Sequence, residues 1–282
     1  MPPVTIPFAP LPASLGAPEL RAQALQLLLI TDPQAKALAV SDCVAEAMAV
    51  DCHAGFDEPP GVPGRAPLPP LVHPSALSHR AVGSAQGHAS LIHALTHIEA
   101  NAINLALDIV WRFAGLPEAF YRDWFAVAQE EAGHFRLLQG HLRSLGHAYG
   151  DFPAHDGLWD MAARTGSDVL ARLALVPRTL EARGLDATPA IRKKLVSIGD
   201  LAGARHLDLI LHDEIGHVAT GNRWYAWLCA SRSLDPLTTY QTLARQHAAP
   251  TLKGPFNLPA RRAAGFTDAE LTALCGTPAP NS

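Results

Sequence analysis

The 282-residue chain is poor in charge and poor in aromatics. Asp, Glu, Lys and Arg make up 17% of it, and Phe, Trp and Tyr 6%. Lys and Arg number 22 against 26 Asp and Glu, and no basic run is longer than "IRKK" or "ARRA". With a net charge of −4, the chain has no global pull toward nucleic acid or an anionic membrane surface. The four cysteines, Cys43, Cys52, Cys229 and Cys275, form no CxxC pair. They read as free thiols in a reducing compartment, so a cytoplasmic location is expected. No charge-free apolar stretch reaches about 18 residues, so no membrane span is expected. The opening "MPPVTIPFAPLPASLG" has neither a positive n-region nor an unbroken apolar h-region, and no secretory signal is expected. Strand-like alternation is scarce.

Helical periodicity fills the space that these absences leave. Hydrophobic residues make up 48% of the chain, enough for one packed core. "APELRAQALQLLL" and "DPQAKALAVSDCVAEAMA" predict two short helices within 17–50, the second with an Asp cap and Pro33 in its first turn. Residues 57–76, "DEPPGVPGRAPLPPLVHPSA", are too rich in proline for helix or central strand. They read as an extended arm laid over the surface. A long helix starts near Ser90 and runs to a glycine suited to its C-terminal end. A second begins near Pro117 and ends at Gly146. A third spans about 158–183 and should bend at Pro177. "TPAIRKKLVSIGD" reads as a separate short helix. A fourth long helix covers about 201–232, followed by a helix near 236–247 and an irregular tail. The expected fold is all-α. N-terminal helices and a proline-rich arm occupy 1–85, a four-helix bundle 86–235, and a C-terminal extension 236–282.

Residues at i, i+3, i+4 and i+7 share one face of a helix. In the second long helix the core stripe reads Phe120, Trp124, Val127, Glu131, His134, Leu138. In the fourth it reads Leu207, Leu211, Glu214, His217, Gly221, Trp224. In the first it is Leu95, Glu99, Ala102, Ala106, Ile109, Phe113, and in the third Leu170, Ala174, Pro177 or Arg178, and Glu181. Each helix thus turns one glutamate inward, and two add a histidine three residues on, within "EAGH" and "EIGH". The separations repeat too: Glu99 to Glu131 spans 131 − 99 = 32 residues, and Glu181 to Glu214 spans 214 − 181 = 33. The core is therefore a tandem of two helix pairs, each contributing E…ExxH.

Four carboxylates in a dry core repel one another and lose their hydration, at about several kcal/mol each. Protons or cations must neutralise them, and no matching set of buried Lys or Arg is evident. Two divalent metals cancel four carboxylates, and two imidazoles complete the ligands. This donor set suits iron or manganese rather than calcium or structural zinc. The expected centre has Glu131 and Glu214 bridging, His134 and His217 one per metal, and Glu99 and Glu181 terminal. Arg178 or Arg183 could instead pair with Glu181. Glu130 and Asp213, each preceding a ligand glutamate, are expected to cross-pair, Asp213 with His134 and Glu130 with His217. His93 and His97 are off the Glu99 face and read as facing solvent or a ligand's partner. Gly133 and Gly216 suggest either close helix approach or room for a small molecule. Phe120, Tyr121, Trp124, Trp224 and Tyr225 read as core or rim, with Tyr121 or Tyr225 open to an electron-transfer role.

These six positions, with strings such as "HIEANAINLALDIVWRF", "YRDWFAVAQEEAGHFRLL" and "ILHDEIGHVATGNRWY", resemble the ferritin-like diiron-carboxylate superfamily over about 90–232. Nearly the whole chain resembles an uncharacterised bacterial ferritin-like family within it. That resemblance implies a ferritin-like bundle and two iron ions, with manganese or a mixed Mn/Fe pair also compatible. It further implies an oxidoreductase activating O2 or peroxide on a small organic substrate, served by a reductase. The alternatives are a ferroxidase or iron-handling protein, and a module with a structural metal. Nucleic acid is not expected as a partner, though a tRNA substrate stays open, as does a homodimer.

Overall fold

The computed structural model describes residues 19–77 and 81–276. The opening stretch read for a leader and the last six residues of the tail lie outside them. The described chain is all-α: it holds no strand, only the isolated bridges Glu19–Ala49 and Leu71–Ala154. None of its helices is long and apolar enough to cross a membrane.

Two short helices, α1 (Leu20–Leu29) and α2 (Pro33–Ser41), come first. Glu19 caps α1 through the amides of Arg21 and Ala22, and Asp32 caps α2 ahead of Pro33, as its sequence predicts. They pack on the long helices α3 (Ala85–Arg112) and α4 (Glu118–Ser144). The proline-rich arm is pinned between them and the loop after α4. Gly64 N donates to Leu28 O at 2.9 Å, Val72 N donates to Ala154 O at 2.8 Å, and Arg65 pairs with Asp156 at 2.6 Å. Ser84 caps α3 through the Gly87 amide at 3.0 Å. The helix therefore starts five residues before Ser90. It also stops at Arg112, with Phe113 extended, so Gly115 is not its terminal cap.

The third bundle segment differs most from its periodicity. α5 (Gly157–Arg164) ends where Thr165 turns its hydroxyl back onto Met161 O at 2.8 Å. Asp168 then caps a new start through Leu170 N at 2.9 Å. The segment proper is α6 (Val169–Leu175), a wide π turn over Val176–Glu181, and α7 (Ala182–Ser197). Pro177 lacks an amide for the helical ladder, so the wider turn forfeits little there. Thr179 Oγ1 donates to Ala174 O at 2.8 Å. "TPAIRKKLVSIGD" is thus a continuation of this segment, carried through Pro189 by packing of α7 on α8 (Leu201–Ser231).

Paired residues fix the directions. His88 and His141 lie together, as do His134 and Asp213, and Trp224 and Asp123. α4 is therefore antiparallel to both α3 and α8. Arg192 pairs with Asp208, and Pro177 abuts Gly221, so α6–α7 is antiparallel to α8. Beyond α9 (Pro236–Gln246), the tail is not irregular. It forms α10 (Leu258–Ala263) and α11 (Asp268–Cys275), the latter opened by a capping box between Thr267 and Glu270. Buried Arg261 ties α10 to Asp186 of α7 at 2.6 Å.

Close helix approach falls at Gly221. A Cβ there would lie 2.7 Å from Pro177 Cβ and 2.9 Å from Pro177 Cγ. At Gly133 and Gly216 a Cβ would meet nothing within 4 Å, so neither glycine serves close packing. Gly221→Ala should lower stability by ~1–3 kcal/mol through overpacking. Gly133→Ala should raise it by about 0.5–1 kcal/mol through helix propensity. Urea midpoints of the two variants check both signs.

Candidate metal centre

The antiparallel order brings one polar level of each helix to the same depth. α3 supplies Glu99, α4 supplies Glu131 and His134, and α8 supplies Glu214 and His217. The π turn ends at Glu181. Glu131 and His217 are each 1% exposed, and His134 and Glu99 are buried with them.

Glu131 sits in the middle. Its Oε2 lies 3.3 Å from His134 Nδ1 and its Oε1 2.9 Å from His217 Nδ1. Glu99 Oε2 is 3.7 Å from His134 Nδ1, and Glu214 Oε1 is 3.7 Å from His217 Nδ1. Glu99, Glu131, His134 and Glu214 gather ligand atoms within 4.8 Å of one another, so Glu214 adjoins both imidazoles. The outer nitrogens are engaged as the sequence predicts: His134 Nε2 is 3.0 Å from Asp213 Oδ2, and His217 Nε2 is 2.7 Å from Glu130 Oε2. With each Nε2 engaged outward, each Nδ1 faces the carboxylates.

Either a proton or a metal ion must lie between each Nδ1 and the carboxylate oxygens it faces. Glu99 Oε2, Glu181 Oε2 and His217 Nδ1 are buried with no hydrogen-bond partner. Such orphaned atoms are rare in folded proteins. Glu99, Glu131, His134 and Glu214 could hold a metal ion, and carboxylates joined by imidazoles suit divalent iron or manganese.

Arg178 does not pair with Glu181. It bonds Asn222 Oδ1 at 2.6 Å and Glu270, and Arg183 is exposed. The core does bury cations that the sequence does not reveal, but each is committed elsewhere. Arg21 holds backbone carbonyls, among them Val110 O and Trp111 O, and Lys36 holds Leu28 O and Gly64 O. Arg172 meets Asp108, Thr165 and Ala162 O. Asp108 inside "NLALDIVW" and Arg172 inside "LARLAL" are the signals that mark that pair. His93 and His97 face neither solvent nor a ligand. Both are buried: His93 Nε2 accepts from Gly150 N at 3.0 Å, and His97 Nδ1 is 2.8 Å from Tyr149 Oη. They anchor the loop after α4. Tyr121 and Tyr225 are buried with hydroxyls bonded to Phe113 O and Pro236 O.

Protonation reflects the crowding. Burial, then repulsion from Glu214 and Glu131, pushes Glu181 up to about 8. Burial also raises Glu99 well above the usual carboxylate range, and Glu214 above it, with Glu131 adding repulsion in both cases. For Glu131 burial acts upward, but the imidazoles of His217 and His134 outweigh it and hold the group low. Burial opposes charge on His134, yet Glu131 and Glu99 raise it to about 11. His217 is likewise raised by Glu131 and Glu130.

A raised group stabilises the fold below its unfolded value and loses that contribution as pH climbs through its folded value. For Glu181 the loss runs from 4.5 to about 8, and for His134 from 6.5 to about 11. Within the cluster only Glu131 acts in the opposite sense, contributing above the ordinary carboxylate range; outside it buried His93 and His97, each lowered to about 4, offset part of the loss below pH 6.5. Metal-stripped protein should therefore melt at lower temperature at about pH 8.5 than at about pH 5. Loading with Fe2+ or Mn2+ should remove most of that decline, because the metal replaces the protons. Differential scanning calorimetry across this range checks both expectations.

Sequence comparison places the chain among known proteins. An uncharacterized protein of Haemophilus influenzae is 48% identical to it over 210 residues, 72% of this chain and 73% of that protein. No solved structure matches. Residues 29–272 match the family described as "Protein of unknown function (DUF455)". The chain, with its buried glutamates and histidines held between antiparallel helices, belongs to the DUF455 family.

Proposed function

We propose that this protein is a dinuclear iron oxidoreductase of the ferritin-like type, activating O2 or peroxide on an organic substrate. The observation that carries the reading is the division of Glu131, one oxygen toward each imidazole, with Glu99, Glu181 and Glu214 around them. In this reading Glu99, Glu131, His134, Glu181, Glu214 and His217 would hold the iron pair. A bound iron pair would supply the redox equivalents and Lewis acidity for oxygen chemistry.

The chain's own residues set the conditions. Asp213 and Glu130 hold the Nε2 protons and so fix the aim of both Nδ1 atoms. Phe135, Leu138 and Leu207 are buried in the helices that carry the ligands and help to keep bulk water from the carboxylates. A cavity of about 450 Å3 lies behind the π turn, lined by Arg178, Leu237, Tyr240, Leu252, Phe266 and Leu274 among others. Tyr240 Oη is 3.0 Å from Thr179 Oγ1, so this cavity borders the segment that ends at Glu181. Its mostly apolar lining, with Arg245, Arg261 and Glu270 also present, offers room for an organic molecule beside that segment, though none of the six cluster residues lines it. A reductase partner and a cytoplasmic setting with reduced cysteines complete the proposal.

The wild-type chain should bind two irons and consume O2 only with reductant and substrate present. Glu131→Ala should lose both irons, and Asp213→Asn or Glu130→Gln should each weaken metal affinity about 10–100-fold. Iron analysis and oxygen-electrode traces read these effects. Two irons surviving in Glu131→Ala, or uptake of many irons per chain by a large shell, would contradict the reading.

A further inference from the structure

A second cluster of metal-ligating side chains lies at the end of the bundle where α3 and α8 begin and α4 ends. His88 Nε2 is 2.7 Å from Asp200 Oδ2, and His141 Nε2 is 2.8 Å from the same oxygen. The three ligand atoms lie within 4.8 Å of one another. None belongs to the centre described above. His141 follows His134 by seven residues on α4, about 10.5 Å along the helix axis.

Two features exceed what a helix-capping network needs. Asp200 already caps α8 with its other oxygen, Oδ1, which accepts from Gly203 N at 2.8 Å. Oδ2 is left to the histidines. Gly203 is what lets the carboxylate and the imidazole sit there: a Cβ at 203 would lie 2.3 Å from Asp200 Oδ2 and 3.0 Å from His141 Nε2. The second feature is His206, one turn into α8. Its ring stands edge-on to His141 with centroids 5.2 Å apart, and its Nδ1 is buried with no hydrogen-bond partner. His206 thus adds a third imidazole beside His141, with one of its nitrogens unpaired.

We propose that His88, His141 and Asp200 form a second, mononuclear site for a borderline divalent cation such as Zn2+ or Co2+. Two imidazoles and one carboxylate suit this class, whereas Ca2+ and Mg2+ demand oxygen donors. The ligands come from three helices, so the ion ties the start of α3 and the start of α8 to the end of α4. The inference stands whether or not the dinuclear reading does, because it uses none of those six ligands.

The test is Zn2+ binding by the full chain in equilibrium dialysis, paired with Co2+ absorption spectra. Wild type should bind one more Zn2+ per chain than His88→Asn or His141→Asn, and should show visible Co2+ bands that both variants lack. Gly203→Ala keeps every ligand residue but displaces Asp200 Oδ2 from between the two imidazoles, and should also lose that one ion. Circular dichroism confirms that each variant is folded. If His141→Asn does not fold, the half-buried His88→Asn and Gly203→Ala carry the comparison. Equal Zn2+ stoichiometry and identical Co2+ spectra in wild type, His88→Asn and Gly203→Ala would overturn the proposal.

Discussion

The structure depends on one carboxylate placed between two imidazoles. Glu131 is held almost free of solvent with His134 on one oxygen and His217 on the other. Around it stand three further glutamates whose burial disfavours charge. Such an arrangement is stable only when positive charge is supplied inside it, and the buried arginines and lysine of the core are all engaged elsewhere. Protons can fill the role, at the expense of stability as pH rises. A pair of divalent cations fills it without that dependence.

The fold is the means of bringing these groups to one depth. α3 with α4, and the α6–α7 segment with α8, are two antiparallel pairs that each present a glutamate opposite an ExxH face. The crossed contacts, Asp213 to His134 and Glu130 to His217, tie the pairs together across α4 and α8. The π turn and Gly221 are the local adjustments that make the second pair work. The wide turn carries the backbone past Pro177 and ends at Glu181. Gly221 lets α8 approach Pro177 more closely than any side chain would permit. The extra helices serve as supports: α1 and α2 pack on α3 and α4, and α10 clamps α7 through Arg261 and Asp186.

Most of this was legible from local periodicity. The long helices, the Asp32–Pro33 start, the inward glutamates and the crossed carboxylates all follow from spacings of three, four and seven residues. What was not legible depends on contacts distant in sequence. His93 and His97 are buried because the loop at Tyr149 and Gly150 closes over them, and no helical pattern reveals a loop partner. The third segment breaks at Thr165 and continues through Pro189 because tertiary packing on α8 overrides the local signals. Arg178 turns away from Glu181 because α11, outside the recognised bundle, supplies Glu270. The capping box "TDAE" that opens α11 and the Asn257–Pro259 start of α10 are local signals in a tail expected to be irregular.

The central claim is that cations, rather than protons alone, occupy the space around Glu131. Anomalous diffraction at the iron and manganese edges, from crystals of protein purified without chelator, addresses it most directly. The account predicts two anomalous peaks per chain, one on the His134 side of Glu131 and one on the His217 side. A featureless map at full occupancy of the protein, with the same side-chain positions, would contradict it.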